Sequence, residues 1–447
     1  MSMNTSGFDR KVEVVPVQIV VSDTNPLIKL ARNLPWERLL DIILPDLKAS
    51  TPKGCWWAGR PLLVRVHLAI FILQKIYDLR DREVIARLAT DAAFQIFAGI
   101  TTVEAWRIPV FQKVQEFRNR LSAETHVALS NEIAKHAVDL GLADPAQVDL
   151  DSTVQEANMS YSNDGSLLQK LGRKIQKVFQ WRERQAEGTM PKFIRESLHK
   201  LGKLAKGYFF ASRKSDQKIH GLAKLHDLVS GMTKVALTVF EALQPEDIEA
   251  MPWNIRYHLE HVLNHASKYL TDVTHYIKTG TLKAGKILAF HLMDVAYINK
   301  GKNGKPPQFG REFQVARIHG NFVVSFIQKG LRAGDCSAFW YQQVVFHELF
   351  GELPSESIAA DRAYNSPTNR KVTEHIEDRH LGYSIKGQSE EDFHRLHARR
   401  AGIEPIIGHI KQGGQLGRSR MKSDAATHKA GFGAMLGFNL RQLCSKL

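Results

Sequence analysis

"AQVDLDSTV", residues 146–154, alternates apolar and polar residues with a period of two. That is the pattern of a strand with one buried face. The residues before it follow a helical period instead. This one change of period makes the chain α/β rather than all-helical. Side chains alternate along a strand, so Asp149 and Asp151 fall on the same face.

Upstream, residues 1–25 mix polar and β-branched residues without a period and read as an N-terminal arm. Residues 26–140 read as a compact helical domain. In "PLLVRVHLAIFILQKIY", residues 61–77, Pro61 stands at a first helical position. Leu63, Val66, Leu68, Ile70 and Leu73 follow it. Arg65, His67 and Lys75 interrupt this run, which is too short and too charged to span a bilayer. Asp81 is expected to cap a helix over "REVIARLATDAAFQIFAGI", residues 82–100.

Downstream, residues 163–285 return to a helical period. In "LLQKLGRKIQKVFQWRER", residues 167–184, Leu167, Leu168, Leu171, Ile175, Val178 and Phe179 form one stripe, with bases opposite. Residues 165–218 hold 14 Lys or Arg against 4 Asp or Glu. A solvated helix face and a phosphate-contacting surface both fit. Arg173, Lys174 and Lys177 are the candidates for the second.

From residue 286 strands return. "GKILAFHL" and "VAYIN" lead into the loop "KGKNGKPPQFG". "EFQVARIHG" and "FVVSFIQKG" pair as a hairpin around "HGN". "CSAFWYQQVVFHELFGEL" is helical, "SESIAADRAY" contains a strand, and "SPTNRKVTEHIEDRH" is a helix opening on Ser366 with Pro367 behind it. "LGYSIKG" is a last short strand, and the rest is mostly helical. The expected layout is an arm (1–25), a helical domain (26–140), an α/β domain in two pieces (145–162 and 286–447), and a basic helical insertion (163–285).

Hydrophobic content of 43% and charged content of 24% are ordinary for globular proteins. The charge balance is not: 61 Lys and Arg against 46 Asp and Glu leave +15. Such an excess favours a polyanionic partner, usually nucleic acid, over a membrane surface. Cys55, Cys336 and Cys444 are isolated, with no CxxC pair. A disulfide framework and a Cys-rich zinc site are therefore disfavoured, and a reducing cytoplasm fits. "MSMNTSGFDRKVEVV" holds no apolar signal core.

Asp361 follows "SIAA", at the C-terminal end of a second strand, where open α/β sheets place their ligand sites. A third acid, Glu404, lies in "RRAGIEPIIGHIKQ", residues 399–412. At about 100° per residue, His397, Arg400, Glu404 and Lys411 face the same way on a helix. An acid between two bases suits a metal ligand beside groups that hold phosphates. An Arg–Glu pair at i,i+4 is the plainer reading, and Pro405 either starts a helix or kinks one. Taken singly, Asp151 could be a turn residue and Asp361 could pair with Arg362. Taken together in a basic chain, two strand acids and one helix acid suit hard divalent cations. Two such ions serve phosphodiester chemistry.

With these residues in place, the chain resembles bacterial insertion-sequence transposases of the DDE type. "RRAGIEPIIGHIKQGGQLGRSRMK" is similar to their C-terminal signature, in which Tyr, Arg, Glu and Lys are spaced by two, three and six residues. Arg400, Glu404 and Lys411 match, while His397 stands at the Tyr position. "VDLDSTVQEANMSYSNDGSLL" resembles the strand of the first aspartate and selects Asp151 over Asp149. "IAADRAYNSP" resembles the strand of the second, selecting Asp361. "GRPLLVRVHLAIFILQKIYDLRDREV" resembles the group's helical N-terminal domain, and "GFNLRQL" its C-terminal end.

The resemblance implies an RNase H-like mixed sheet with flanking helices. It implies catalysis and Mg²⁺ (or Mn²⁺) binding by Asp151, Asp361 and Glu404. The activity would be cutting at element ends and joining of the 3′-OH to target DNA. The partners would be double-stranded DNA and a second copy of the chain, at the bacterial nucleoid. Arg400 and Lys411 would hold phosphates, and the N-terminal helical domain would bind DNA. Arg418, Arg420 and Lys422, just beyond Lys411, suit backbone contact. The alternative is an inactive relative that only binds DNA.

Other motifs are weaker. His258, His261 and His265 share a helical face but have no evident acid or Cys partner. "FHELF" lacks the second His of a zinc protease. "GKNGKP" lacks the strand and helix that flank a phosphate-binding loop.

Overall fold

The computed structural model describes residues 19–50, 61–100, 108–159, 163–185, 187–210, 215–298, 307–327, 334–354, 356–376, 378–382 and 388–447. The arm's first 18 residues, part of the loop after residue 298 and most of "LGYSIKG" lie outside these.

The chain opens with helices α1 (Pro26–Asn33), α2 (Trp36–Ala49), α3 (Pro61–Tyr77), α4 (Asp81–Thr90), α5 (Ala92–Ala98), α6 (Phe111–Arg120) and α7 (Ala123–Asp139). Local sequence sets their ends. Asn25 caps α1, accepting from the Leu27 N–H at 2.9 Å, with Pro26 in the first turn. Ser122 caps α7 through the Thr125 N–H at 3.1 Å.

The single helix expected over 82–100 is two. Asp91 accepts from the N–H groups of Ala93 and Phe94, which ends α4 and starts α5. Asp81 is not the cap. It is the first residue of α4, and its carboxylate is drawn to side-chain donors instead. Arg118 reaches it at 2.6 Å and Gln74 at 2.8 Å, which ties α4 to α6 and α3.

Strand β1 (Asp144–Glu156) follows, then helices α8 (Asp164–Arg184), α9 (Lys192–Phe210), α10 (Ser215–Phe240), α11 (Pro245–Ala250) and α12 (Trp253–Thr279). These helices bury a core of their own. The stripe from Leu167 to Phe179 packs there against Leu225, Val229, Leu259 and Val262.

The strand expected at "GKILAFHL" does not form, and pairing begins only at β2 (Ala296–Ile298). The apolar residues of that segment are buried by packing rather than by a ladder. Ile287 and Phe290 join the helical core, while Ala289 and Leu292 pack with Ala157.

Strands β3 (Gln308–His319) and β4 (Phe322–Val324) make the expected hairpin. Gly320 and Asn321, both at positive φ, turn the chain as such tight hairpins require. Then come α13 (Asp335–Phe350), β5 (Ser357–Ala360), a 3₁₀ turn (Arg362–Tyr364), α14 (Pro367–Val372), β6 (Asp378–Leu381), α15 (Glu390–Ala401), α16 (Ile403–Gln412) and α17 (Asp424–Lys446). The helix expected to reach His380 stops at Val372. Arg379 donates back to the Thr373 carbonyl at 2.8 Å, and "DRHL" pairs as β6.

The sheet is mixed, in the order β2–β3–β1–β5–β6, with β4 also on β3. β3 runs antiparallel to β1, whereas β5 and β6 run parallel to it. One sheet face, with Val148, Leu150, Ala316 and Ile358, shares a core with the N-terminal helices. The other, with Phe313 and Val315, is covered by α16 and α17. Helix α17 also lies close on α3. A Cβ at Gly437 would stand 2.2 Å from the Lys75 carbonyl oxygen, so only glycine fits there. Among the described residues, no helix is long and apolar enough to cross a membrane.

Candidate active site

The register of β1 and β5 sets the site. Leu150 pairs with Ala360 in the parallel ladder, so the next residue on each strand is an acid, Asp151 and Asp361. β5 stops there, while β1 continues to Glu156, paired with β3 and, at its last residue, with Arg418. Asp361 is thus a strand-end acid, as expected. Asp151 lies mid-strand, at the point where its parallel neighbour leaves.

Arg400 joins the two. Its Nη2 lies 3.6 Å from Asp151 Oδ2 and 3.3 Å from Asp361 Oδ2. Those two oxygens are therefore at most about 7 Å apart, within reach of a pair of cations roughly 3.5–4 Å apart. The other oxygen of each acid accepts a backbone N–H, from Ser152 at 2.7 Å and from Arg362 at 2.5 Å. The Arg400 Nε is buried and has no hydrogen-bond partner.

Asp149 shares the strand face of Asp151 but is already committed. It is buried, with Arg317 Nε at 2.9 Å on one oxygen and Arg399 Nε at 2.8 Å on the other. Arg399 also donates to Ser357 and to the Val148 carbonyl, and Arg317 to the Arg399 carbonyl. This clamp fastens α15 across β1, β3 and β5. It presents the following residue, Arg400, to Asp151 and Asp361. The sequence reading missed Arg317 and Arg399. The signal was there: a base within the apolar strand "FQVARI" calls for a buried acid.

The ground behind Asp361 is equally fixed. The buried Tyr364 hydroxyl donates to Gln314 Oε1 at 2.5 Å, and Gln314 donates to Asp335 at 2.8 Å. Burial holds the Tyr364 pKa well above the usual range. The charges of Asp335, Asp151, Glu312 and Asp361 add to the shift. Gly382, at φ 71°, passes so close that a Cβ would stand 2.4 Å from the Arg362 nitrogen.

His397, at the Tyr position, packs beside Phe393 and His380, with the two histidine centroids 5.5 Å apart. Both ring nitrogens of His380 are buried without partners. Burial, and then the nearness of His397 and Arg400, lower its pKa.

Glu404 is not gathered with the others. The helix expected to carry residues 397–411 is two, parted at Gly402. Pro405 has no N–H to give the Ala401 carbonyl, so the ladder breaks there. The common face drawn from one regular helix does not hold across this break. Glu404 is exposed in the first turn of α16. Among the described residues, no three His, Cys, Asp or Glu are placed to hold one metal ion. That includes His258, His261 and His265. Lys411 is half-buried in the last turn of α16.

The donor set at Asp151 and Asp361 nevertheless fits a hard cation. Mg²⁺ is commonly held by one or two carboxylates plus substrate phosphates, and a guanidinium already sits between these two.

Among the basic candidates, Arg173 and Lys177 are exposed on α8. Lys174 is not: it is buried, with its Nζ 3.4 Å from His258 Nδ1 and 4.4 Å above the Tyr257 ring. It falls one residue inside the boundary between the basic face and the apolar stripe. Residues 417–419 pair with the end of β1, through Glu156 N to Gly417 O at 3.0 Å and Ser419 N to Glu156 O at 2.8 Å. Arg418 and Lys422 are exposed, whereas Arg420 is ion-paired to Asp78 at 2.7 Å.

Residues 16–120 match the family model described as "Transposase domain (DUF772)". The match covers α1 to α6 and supports a transposase family and a function related to transposition. No curated protein and no solved structure matches the chain.

Proposed function

We propose that the chain is a DNA transposase. It cuts phosphodiester bonds at the ends of a mobile element and joins the freed 3′-OH to target DNA. The observation that carries this reading is the adjacency of Asp151 and Asp361 on parallel strands, while Asp149 is locked in ion pairs. The transposase-domain match at the N-terminal helices supports it from another part of the chain. The mixed sheet is consistent with an RNase H-like core.

In this reading Asp151, Asp361 and Glu404 would hold Mg²⁺ or Mn²⁺. When bound, two such ions activate the attacking oxygen and stabilise the leaving oxygen of a phosphodiester. Asp151 and Asp361 supply rigid oxygens from the sheet. Glu404, which stands apart from them in this structure, would be the third carboxylate. Arg400, poised between the acids, takes a phosphate oxygen through charge-assisted hydrogen bonds. Lys411, Arg418, Arg420 and Lys422, further along the sequence, hold the DNA backbone, as do Arg173 and Lys177 on α8. The protein acts as a homodimer on two element ends.

A second reading has one observation in its favour. Arg400 occupies the space between the acids and Glu404 stands apart, which suits a relative that binds DNA without cutting it. Incubation with the chain's native flanking DNA separates the two. Mg²⁺-dependent nicking at the element end supports the transposase. Binding without nicking in either Mg²⁺ or Mn²⁺ supports the second reading.

A further inference from the structure

Where α3, α6 and α7 meet α17, a half-enclosed cavity of about 80 Å³ opens beneath the loop that follows α16. Its wall carries Lys75, Arg118 and Lys429, with the imidazole of His126. The one acid in that wall, Asp78, is already paired with Arg420 at 2.7 Å. Among the described residues, no carboxylate lies within ion-pair distance of Lys75 or Lys429.

Each base is held in place by other contacts. Lys429 Nζ donates to the Leu121 carbonyl at 2.7 Å and the Asn119 carbonyl at 3.2 Å, which leaves one of an ammonium's three donors. Arg118 uses one Nη on Asp81 at 2.6 Å. Lys75 Nζ rests 4.9 Å above the Phe71 ring, and a Cβ on Gly433 would come within 2.8 Å of it. Burial, and then the Arg118 charge, lower the Lys75 pKa to about 8 against the opposing charges of Asp78 and Asp81, so it still carries its proton at neutral pH. His126 Nδ1 donates to the Ser122 carbonyl at 2.7 Å, and burial keeps the ring neutral. His126 contributes shape, and the three bases contribute charge.

Lys75 and Lys429 are half-buried without an ion-pair partner among the described residues, and holding cations in that way costs free energy that a bound anion offsets. The cavity is several times the roughly 10–15 Å³ that one water needs, and far below the roughly 300–1,000 Å³ of a drug-sized ligand's pocket. A tetrahedral oxyanion fits, and a nucleoside does not. We infer that this cavity binds a phosphate group, which clamps the N-terminal helices to α17 through Lys75, Arg118 and Lys429. The phosphate is either free or part of a nucleic-acid backbone laid over the adjoining Arg420 and Lys422. The site is distinct from Asp151 and Asp361, and its occupancy does not depend on cleavage.

The test is thermal unfolding of the full chain in inorganic phosphate against chloride at equal ionic strength. At ten times the dissociation constant, phosphate is expected to stabilise by about 1.4 kcal/mol and to raise Tm of this 447-residue chain by about 1–2 °C. Lys75→Met, which removes a half-buried charge without an ion-pair partner, is expected to fold with a Tm no lower than wild type and to lose the phosphate response. Lys75→Arg is expected to keep it. Should Lys75→Met fail to fold, Lys429→Met read the same way decides. Competition with a labelled duplex identifies the source. Displacement by phosphate, with weaker duplex binding in Lys75→Met, marks a backbone phosphate. An undisturbed duplex marks a free anion. No shift in wild type, or an equal shift in wild type and Lys75→Met, overturns the inference.

Discussion

Replacing Asp149 by asparagine should damage the fold, whereas replacing Asp151, two residues on, should damage only the chemistry. The Asp149 side chain is 6% exposed and lies between two guanidiniums. Both of its oxygens are used, by Arg317 at 2.9 Å and Arg399 at 2.8 Å. Removing one partner of a buried pair costs roughly 3–5 kcal/mol. Here two half-buried cations are left, so the upper part of that range applies. For a chain of 447 residues the unfolding entropy is about 0.9 kcal/mol/K, so Tm should fall by roughly 4–5 °C. The loss should be accompanied by faster hydrogen exchange in α15, which the clamp fastens to the sheet. Asp151→Asn should stay within about 1 kcal/mol of wild type, because its Arg400 contact is long and partly solvated. Circular dichroism melts of both variants decide. If Asp149→Asn keeps its Tm within about 2 °C and loses DNA cleavage, Asp149 is the functional acid and the reasoning from the clamp is wrong.

Three further outcomes follow. Asp361→Ala and Glu404→Ala should abolish cleavage yet leave gel-shift affinity within a few-fold, since bases on the DNA backbone carry affinity. Cleavage by either at an appreciable fraction of the wild-type rate would remove that residue from the site. Glutamine at Arg173 and Lys177 should lower the slope of log affinity against log salt by about 0.9 for each phosphate no longer neutralised, while Lys174→Gln should leave the slope unchanged. An equal effect from all three would show that α8 binds DNA by another face. Acid should destabilise the protein through His126. Burial, and then Lys75, depress its pKa to about 3, so below about pH 6.5 the unfolded chain takes a proton that the folded chain refuses. Stability should therefore fall as pH drops from 6.5 towards 3, by about 1.4 kcal/mol per unit from this residue. His126→Gln should flatten the slope of unfolding free energy in urea titrations, and an unchanged slope would contradict the assignment.

The sequence made the alternation at 146–154 legible, because a half-buried strand enforces a period of two. It made the Leu167–Phe179 stripe legible for the same kind of reason, with the period of a helix. It failed at "GKILAFHL", where burial is supplied by helices and no ladder forms. An apolar run alone does not say which partner will cover it. The adjacency of Asp151 and Asp361 could not be read from spacing, since it depends on the Leu150–Ala360 register. Nor could the break at Gly402: Pro405 warned of one, but only the packing shows α15 clamped by Arg399 while α16 carries Glu404 away. Lys174 shows the resolution limit of a helical wheel, because a residue at the edge of a basic face can as easily turn inward.

The most direct test of the central claim exchanges the ligand atom at the strand end. In Asp361→Cys a sulfur replaces the carboxylate, and sulfur is a poor partner for Mg²⁺ but a better one for softer ions such as Mn²⁺. Nicking of element-end DNA should be lost in Mg²⁺, return in part in Mn²⁺, and stay absent in both for Asp361→Ala. Wild-type nicking by Asp361→Ala in Mg²⁺ would contradict a metal-binding role for Asp361 and the active site built on it.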